Sequence, residues 1–237
     1  MRSIADENKA RQLIKELTCA ACGVSLNWFK KGPNQYAEHE KFLGIRVPEI
    51  RRIIQFYGDL SFLALERLLQ SDFNEIRFAA LIILVKQYQS SSSKTSRKII
   101  FNFYKKNVKY INNWNLVDCS AHLIIGAYLF DKDKMMLYQW IQDKKIWKRR
   151  IAIVATWHFI RQGDFNDTLA LSKMLFKDKE DLLHKAAGWM LREVGKNDRM
   201  VLERFIKENH LAMPRVMLRY AIEHFPETKR RTYLIPR

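Results

Sequence analysis

Glycine and proline are scarce, at 8 and 5 residues in a chain of 237. So few turn formers argue against a sheet-rich fold with many tight hairpins and favour helices joined by short loops. Cysteine is rarer still. Cys19, Cys22 and Cys119 are an odd count without the spacing of a disulfide framework, which reads as a reduced, intracellular chain. Cys19-Ala-Ala-Cys22 is a lone CxxC with no second pair and no nearby His, so a zinc site is not expected. Its place in a helical pattern predicts core packing instead. No apolar run approaches the roughly 20 residues of a membrane span. The opening segment MRSIADENKARQ lacks the apolar core of a signal peptide. These absences predict a soluble, cytoplasmic protein, and nothing invites a metal, nucleotide or other cofactor.

What the chain does have is apolar residues and positive charge. Hydrophobic residues make up 48%, enough for a substantial core in a single domain spanning residues 1–237. Lys and Arg total 42 against 25 Asp and Glu, a formal net charge of +17. Such a charge opposes compaction but attracts polyanions, whose phosphates Lys and Arg neutralise. A membrane-surface binder would concentrate its charge in one amphipathic helix or a polybasic tail. Here basic residues spread from Arg46 to Arg237, which fits a long polymer lying along the protein.

The chain also repeats itself. Glu75-Ile-Arg-Phe-Ala-Ala80, Trp147-Lys-Arg-Arg-Ile-Ala152, Leu182-Leu-His-Lys-Ala-Ala187 and Val216-Met-Leu-Arg-Tyr-Ala221 each set a basic or aromatic residue before a small or apolar pair. Aligned, they put Phe78, Arg150, Lys185 and Arg219 at one register, with Trp114 midway between the first two. The steps are 36, 36, 35 and 34 residues. A period in the mid-thirties is about one helix pair, as in HEAT-like arrays. Pairs that cannot bury their apolar faces alone stack into a right-handed α-α superhelix, a curved solenoid with one concave face. Arg150, Lys185 and Arg219 would then form a row of cations along it.

Boundary signals agree. Pro48 suits a first helical turn. Ser71-Asp72 precedes a helix over about 73–88, and Ser90 to Ser93 is a polar break. Asn112-Asn113 precedes a helix running to about Phe130. Gly163-Asp164 and Lys196-Asn197-Asp198 end one helix and start the next.

Two features stand out for chemistry. Trp114 and Asp118, four residues apart, share a helix face. A carboxylate set among cations is held ionised. That suits stabilising a developing positive charge or orienting a water, not donating a proton. It equally suits a structural ion pair. Trp189 follows Lys185 by four residues and projects the same way, although both tryptophans are also ordinary core residues. Composition and periodicity reach a basic groove with an acid and aromatics, and no reaction.

Four segments carry a resemblance: Phe42-Leu-Gly-Ile-Arg-Val-Pro-Glu49, Trp114-Asn-Leu-Val-Asp118, Ile146-Trp-Lys-Arg-Arg-Ile-Ala152 and Lys185-Ala-Ala-Gly-Trp-Met-Leu-Arg-Glu193. Together they resemble the HEAT-like-repeat alkylpurine DNA glycosylases, the AlkD-like DNA alkylation repair family. The resemblance implies Asp118 as the catalytic carboxylate, Trp114 and Trp189 flanking the lesion's deoxyribose, and Arg150 on a nearby phosphate. Tyr36 matches an aromatic DNA contact with its spacing shifted by a residue. Lys185 and Arg219 complete the basic face. The implied partner is double-stranded DNA containing alkylated purines, attacked by a monomer near the nucleoid without base flipping. The competing reading is a non-catalytic binder of branched or distorted DNA on the same face. A protein-binding HEAT scaffold fits the charge least well.

Overall fold

Apolar residues at helical spacing fold into helices along the chain. The computed structural model describes residues 2–23, 29–33 and 35–235. Among them every extended regular element is helical, and the one bridge pairs Lys41 with Phe73 in isolation. Among the described residues no helix is long and apolar enough to cross a membrane. Contacts group the chain into two units, Met1–Ser120 and Ala121–Arg237.

In the first unit the helix Asn74–Ser90 is the centre. Ile76, Phe78, Ala79, Leu81, Ile83 and Leu84 are all buried, so the helix is apolar nearly all round, as a core helix must be. Helices Phe62–Leu69 and Lys94–Lys106 pack against it. Ser61 and Ser93 cap these two through their hydroxyls, which accept from the backbone N–H of Ala64 and Ser96. The helix Val47–Ile53 carries Pro48 in its first turn, as expected.

In the second unit the helix Ile146–Arg161 holds the equivalent place. It packs against His122–Gly126, a π-helical turn, and against Asp181–Asn197, which in turn packs on Arg215–Ala221. Gly163, at φ 80°, ends the first of these helices. Asp198 caps Arg199–Asn209 by accepting from Val201 N–H at 3.0 Å. Close approach here depends on glycine. A Cβ on Gly188 would lie 2.5 Å from both the Met217 carbonyl oxygen and Tyr220 Cβ.

Three expectations are corrected. The helix expected after Asn113, running to about Phe130, is broken: Trp114–Asp118 stops, and helical structure resumes at Ala121. Ser120 Oγ donates to the Leu116 carbonyl at 2.6 Å and Cys119 Sγ to the same carbonyl at 3.3 Å. Such side-chain bonds compete with continued helix. Cys19 and Cys22 are exposed, not core, because the helix Arg2–Cys19 ends at the first of them. Finally, Phe78, Arg150, Lys185 and Arg219 are each the fifth residue of their helix, and in Trp114–Asp118 the fifth residue is Asp118. The acid, not the indole, occupies the shared register.

Gly188→Ala is expected to lower stability by about 1–3 kcal/mol, because the obstructing carbonyl is backbone and cannot swing aside. Gly58→Ala, with nothing within 4 Å of the added carbon, should stay within about 0.5 kcal/mol. Thermal unfolding of the two variants makes the comparison.

Candidate active site

The first unit builds a cleft from segments far apart in sequence. Gly44 takes φ 76°, in the left-handed region that glycine tolerates. This turns three successive backbone N–H groups toward the buried Glu75. Its carboxylate accepts from Leu43 at 3.0 Å, Gly44 at 2.8 Å and Ile45 at 3.4 Å. Beside it Arg77 forms an ion pair with Glu40, both side chains nearly inaccessible. Arg77 also donates to the Ser71 and Asp72 carbonyls. The other Glu40 oxygen accepts from Asn113 Nδ2 at 2.8 Å. Asn113 in turn caps the short helix, its Oδ1 accepting from Trp114 N–H at 2.8 Å. Asn74 and Asn115 exchange amide hydrogen bonds of 3.3 and 2.6 Å. The 40–45 segment, the start of the Asn74–Ser90 helix and the Trp114–Asp118 helix are thereby locked to one another.

The product is a cleft of about 640 Å³ whose walls include Phe29, Phe42, Ile45, Phe78 and Trp114, with Arg46, Asn115 and Asp118 among its polar groups. The Trp114 ring stacks on Phe29, centroids 5.0 Å apart and planes 23° apart. Phe29 meets Phe42 at 4.5 Å, and Lys31 Nζ sits 4.5 Å from the Phe42 ring centroid. Trp114 Nε1 donates to the Tyr36 hydroxyl at 3.1 Å, and that hydroxyl also accepts from Lys30 N–H at 3.2 Å. Three residues singled out in the sequence, Tyr36, Trp114 and Asp118, therefore meet here. Tyr36, half-buried, holds the indole by its nitrogen.

Asp118 is half-buried and lines the cleft with Trp114. Its neighbour Cys119 is no nucleophile. Burial, reinforced by the Asp118 charge, pushes its thiol well above the ordinary range, so it stays protonated at neutral pH. An indole with a carboxylate one helical turn away is suited to a group developing positive charge, since both the ring face and the anion attract it.

The second unit shows what the basic residues do. In the run Lys148-Arg-Arg150 each side chain has an internal partner. Lys148 pairs with Asp143 at 2.7 Å, Arg149 with Asp178 at 2.8 Å, and Arg150 Nη1 donates to the Leu182 carbonyl at 2.6 Å. Arg150 is only 5% exposed. It keeps its register but not the solvent-facing position expected of it, because the helix Asp181–Asn197 packs over it. Lys185 is partly exposed and 3.7 Å from Asp181, and Arg219 is exposed.

Trp189 is half-buried, and its Nε1 donates to Glu193 at 3.2 Å. Trp157 meets it edge-on, with centroids 4.9 Å apart at 65°. Trp157 in turn carries Arg161 at 4.4 Å from its ring centroid and lies 4.4 Å from the His122 ring. The sequence reading missed Glu75, Phe29 and Trp157. Glu75 stands in the first turn of its helix, and no local pattern tells a clamp from a cap. Among the described residues no three His, Cys, Asp or Glu side chains group as a metal site.

The first unit thus places a carboxylate and an indole in one cleft, in a chain whose described regular elements are helical and whose net charge is +17. The sequence pattern of the DNA alkylation repair enzymes matches residues 1–225, and the chain belongs to that family. A solved structure described as a predicted DNA alkylation repair enzyme from Enterococcus faecalis shares its fold, with a TM-score of 0.65 at 16% identity. The match covers 81% of this chain and 92% of that one. No curated protein matches.

Glu75→Gln keeps the size of the clamp but turns part of an acceptor into a donor facing N–H groups. A loss of about 1–3 kcal/mol in unfolding free energy is expected, read from denaturant titration. An unchanged midpoint would remove Glu75 from its place as the anchor of the 43–45 turn.

Proposed function

We propose that the chain is a DNA glycosylase that hydrolyses the N-glycosidic bond of cationic N3- or N7-alkylated purines in duplex DNA. The observation that carries this reading is Asp118 beside Trp114 in a cleft, in a chain of the DNA alkylation repair family. Alkylation at N3 or N7 leaves the purine positively charged, so it departs readily. The C1′–N bond breaks, its electron pair goes to the base and neutralises it, and the sugar becomes oxocarbenium-like. Asp118 stabilises that charge and orients a water. The water oxygen bonds to C1′, and its proton passes to the carboxylate or to solvent. Trp114 offers its ring to the same cationic sugar.

In this reading the base stays in the helix, and selectivity comes from the lesion's own lability. Neutral lesions are poor substrates. Trp189 offers a second aromatic face to the DNA, and Lys185 and Arg219 are the cations offered to the backbone. Arg150, braced on Leu182, adds charge to that row from beneath the surface. The chain acts as a monomer in the cytoplasm and needs no cofactor.

Duplex DNA containing 7-methylguanine tests the reading. Wild type is expected to release the methylated base, and Asp118→Asn to release it at least about 100-fold more slowly while duplex binding survives. Tyr36→Phe, which removes the hydroxyl that holds the Trp114 indole, should slow release several-fold. Duplex binding by wild type with no release from any cationic adduct would favour the non-catalytic binding of branched or distorted DNA.

A further inference from the structure

Any deoxyribose held against Asp118 brings its two covalently attached phosphates to the rim of the cleft. Two anionic phosphates at that rim call for cations to hold them. Of the cations expected to hold phosphates, Arg150 is buried and donates to the Leu182 carbonyl. Within the first unit the geometry points elsewhere. Arg46 lines the same cleft as Asp118 and Trp114, and among the described residues it is the one cation to do so. It directly precedes the helix Val47–Ile53, and its side chain is exposed.

Arg51 lies on that helix, next to Ile50 in the cleft wall. It is exposed and shares a helix face with Val47 and Pro48, both in the cleft wall. Neither arginine forms an ion pair with a described residue. Arg52, beside them, differs in being tied to Glu49. The position of Arg46 follows from the Glu75 clamp on Leu43, Gly44 and Ile45, so its backbone is fixed before any DNA arrives.

We propose that Arg46 and Arg51 are the phosphate-gripping residues of the Asp118 cleft, holding the lesion-bearing strand on either side of the attacked sugar. This rests on the glycosylase reading for its location at Asp118, but not for its readout. Arginine suits the task because its fork of donors can take two phosphate oxygens at once.

The test measures binding to a duplex bearing a tetrahydrofuran abasic mimic, which requires no chemistry, over a series of salt concentrations. For Arg46→Ala/Arg51→Ala the slope of log affinity against log salt should become shallower by about two, with affinity near 150 mM salt reduced tenfold or more. Arg46→Lys/Arg51→Lys should restore most of the slope. The charge-matched control Lys94→Ala/Lys98→Ala, on a helix that does not line the cleft, should leave it within about half a unit.

An unchanged slope in the arginine variant overturns the proposal. So does an equal change in the lysine control, which would reduce the effect to overall charge. With 7-methylguanine duplex, the arginine variant should raise KM at least tenfold with kcat at saturating DNA within about threefold of wild type. A fall in kcat with KM unmoved contradicts a gripping role. If wild type releases no base, the glycosylase reading fails while the salt slopes still decide this one.

Discussion

The site depends on one carboxylate that accepts three hydrogen bonds. A turn that enters the interior must pair its backbone N–H groups or lose the free energy of leaving them dry. At Leu43, Gly44 and Ile45 all three point the same way, and Glu75 accepts from each. Glycine at the centre makes the turn possible, and the acid makes it affordable. Because Glu75 belongs to the rigid, fully packed helix Asn74–Ser90, the turn inherits that helix's position. The buried Arg77–Glu40 pair repeats the arrangement nearby, with Asn113 as its third member. Buried ion pairs contribute little net stability but discriminate strongly against misplacement. Here the segment being placed carries the cleft wall.

From that scaffold the chemistry follows in a short chain of causes. Asn113 caps a helix of one turn and a fraction, which sets Trp114 and Asp118 on one side of it. Tyr36 and Phe29 fix the indole by its nitrogen and its face. Ser120 and Cys119 stop the helix by turning their side chains back onto Leu116, so the acid stands at its last turn and not mid-helix. In the proposed reaction a net charge of +17 attracts the polyanion, while Asp118 in the cleft meets the part of the substrate that becomes positive. In that reading attraction and catalysis use opposite signs of charge.

Much of this was legible in the sequence, for identifiable reasons. Helix pairs follow from apolar spacing and a mid-thirties period, both local properties. Asp118 was legible because it is an acid among bases, and Trp114 because it lies one turn before it. The register was misread by four residues. Trp114 fits the period numerically, while the helix start that defines the position falls later than spacing alone suggests. The Glu75 clamp was invisible because its partners lie about thirty residues away and are backbone, which has no sequence signature. Arg150 was misjudged for a related reason. Charge predicts exposure, but its guanidinium finds a carbonyl at Leu182, and burial then follows.

The central claim is that Asp118 stabilises positive charge on a deoxyribose. It is tested most directly by comparing affinity for two duplexes, one with a cationic pyrrolidine in place of the lesion's sugar and one with a neutral tetrahydrofuran. Transition-state mimics bind tighter where charge is complemented. Wild type should prefer the cationic duplex by about 100-fold or more, and Asp118→Asn should bind the two nearly alike. Equal affinities in wild type, or a preference undiminished by Asp118→Asn, would contradict the account.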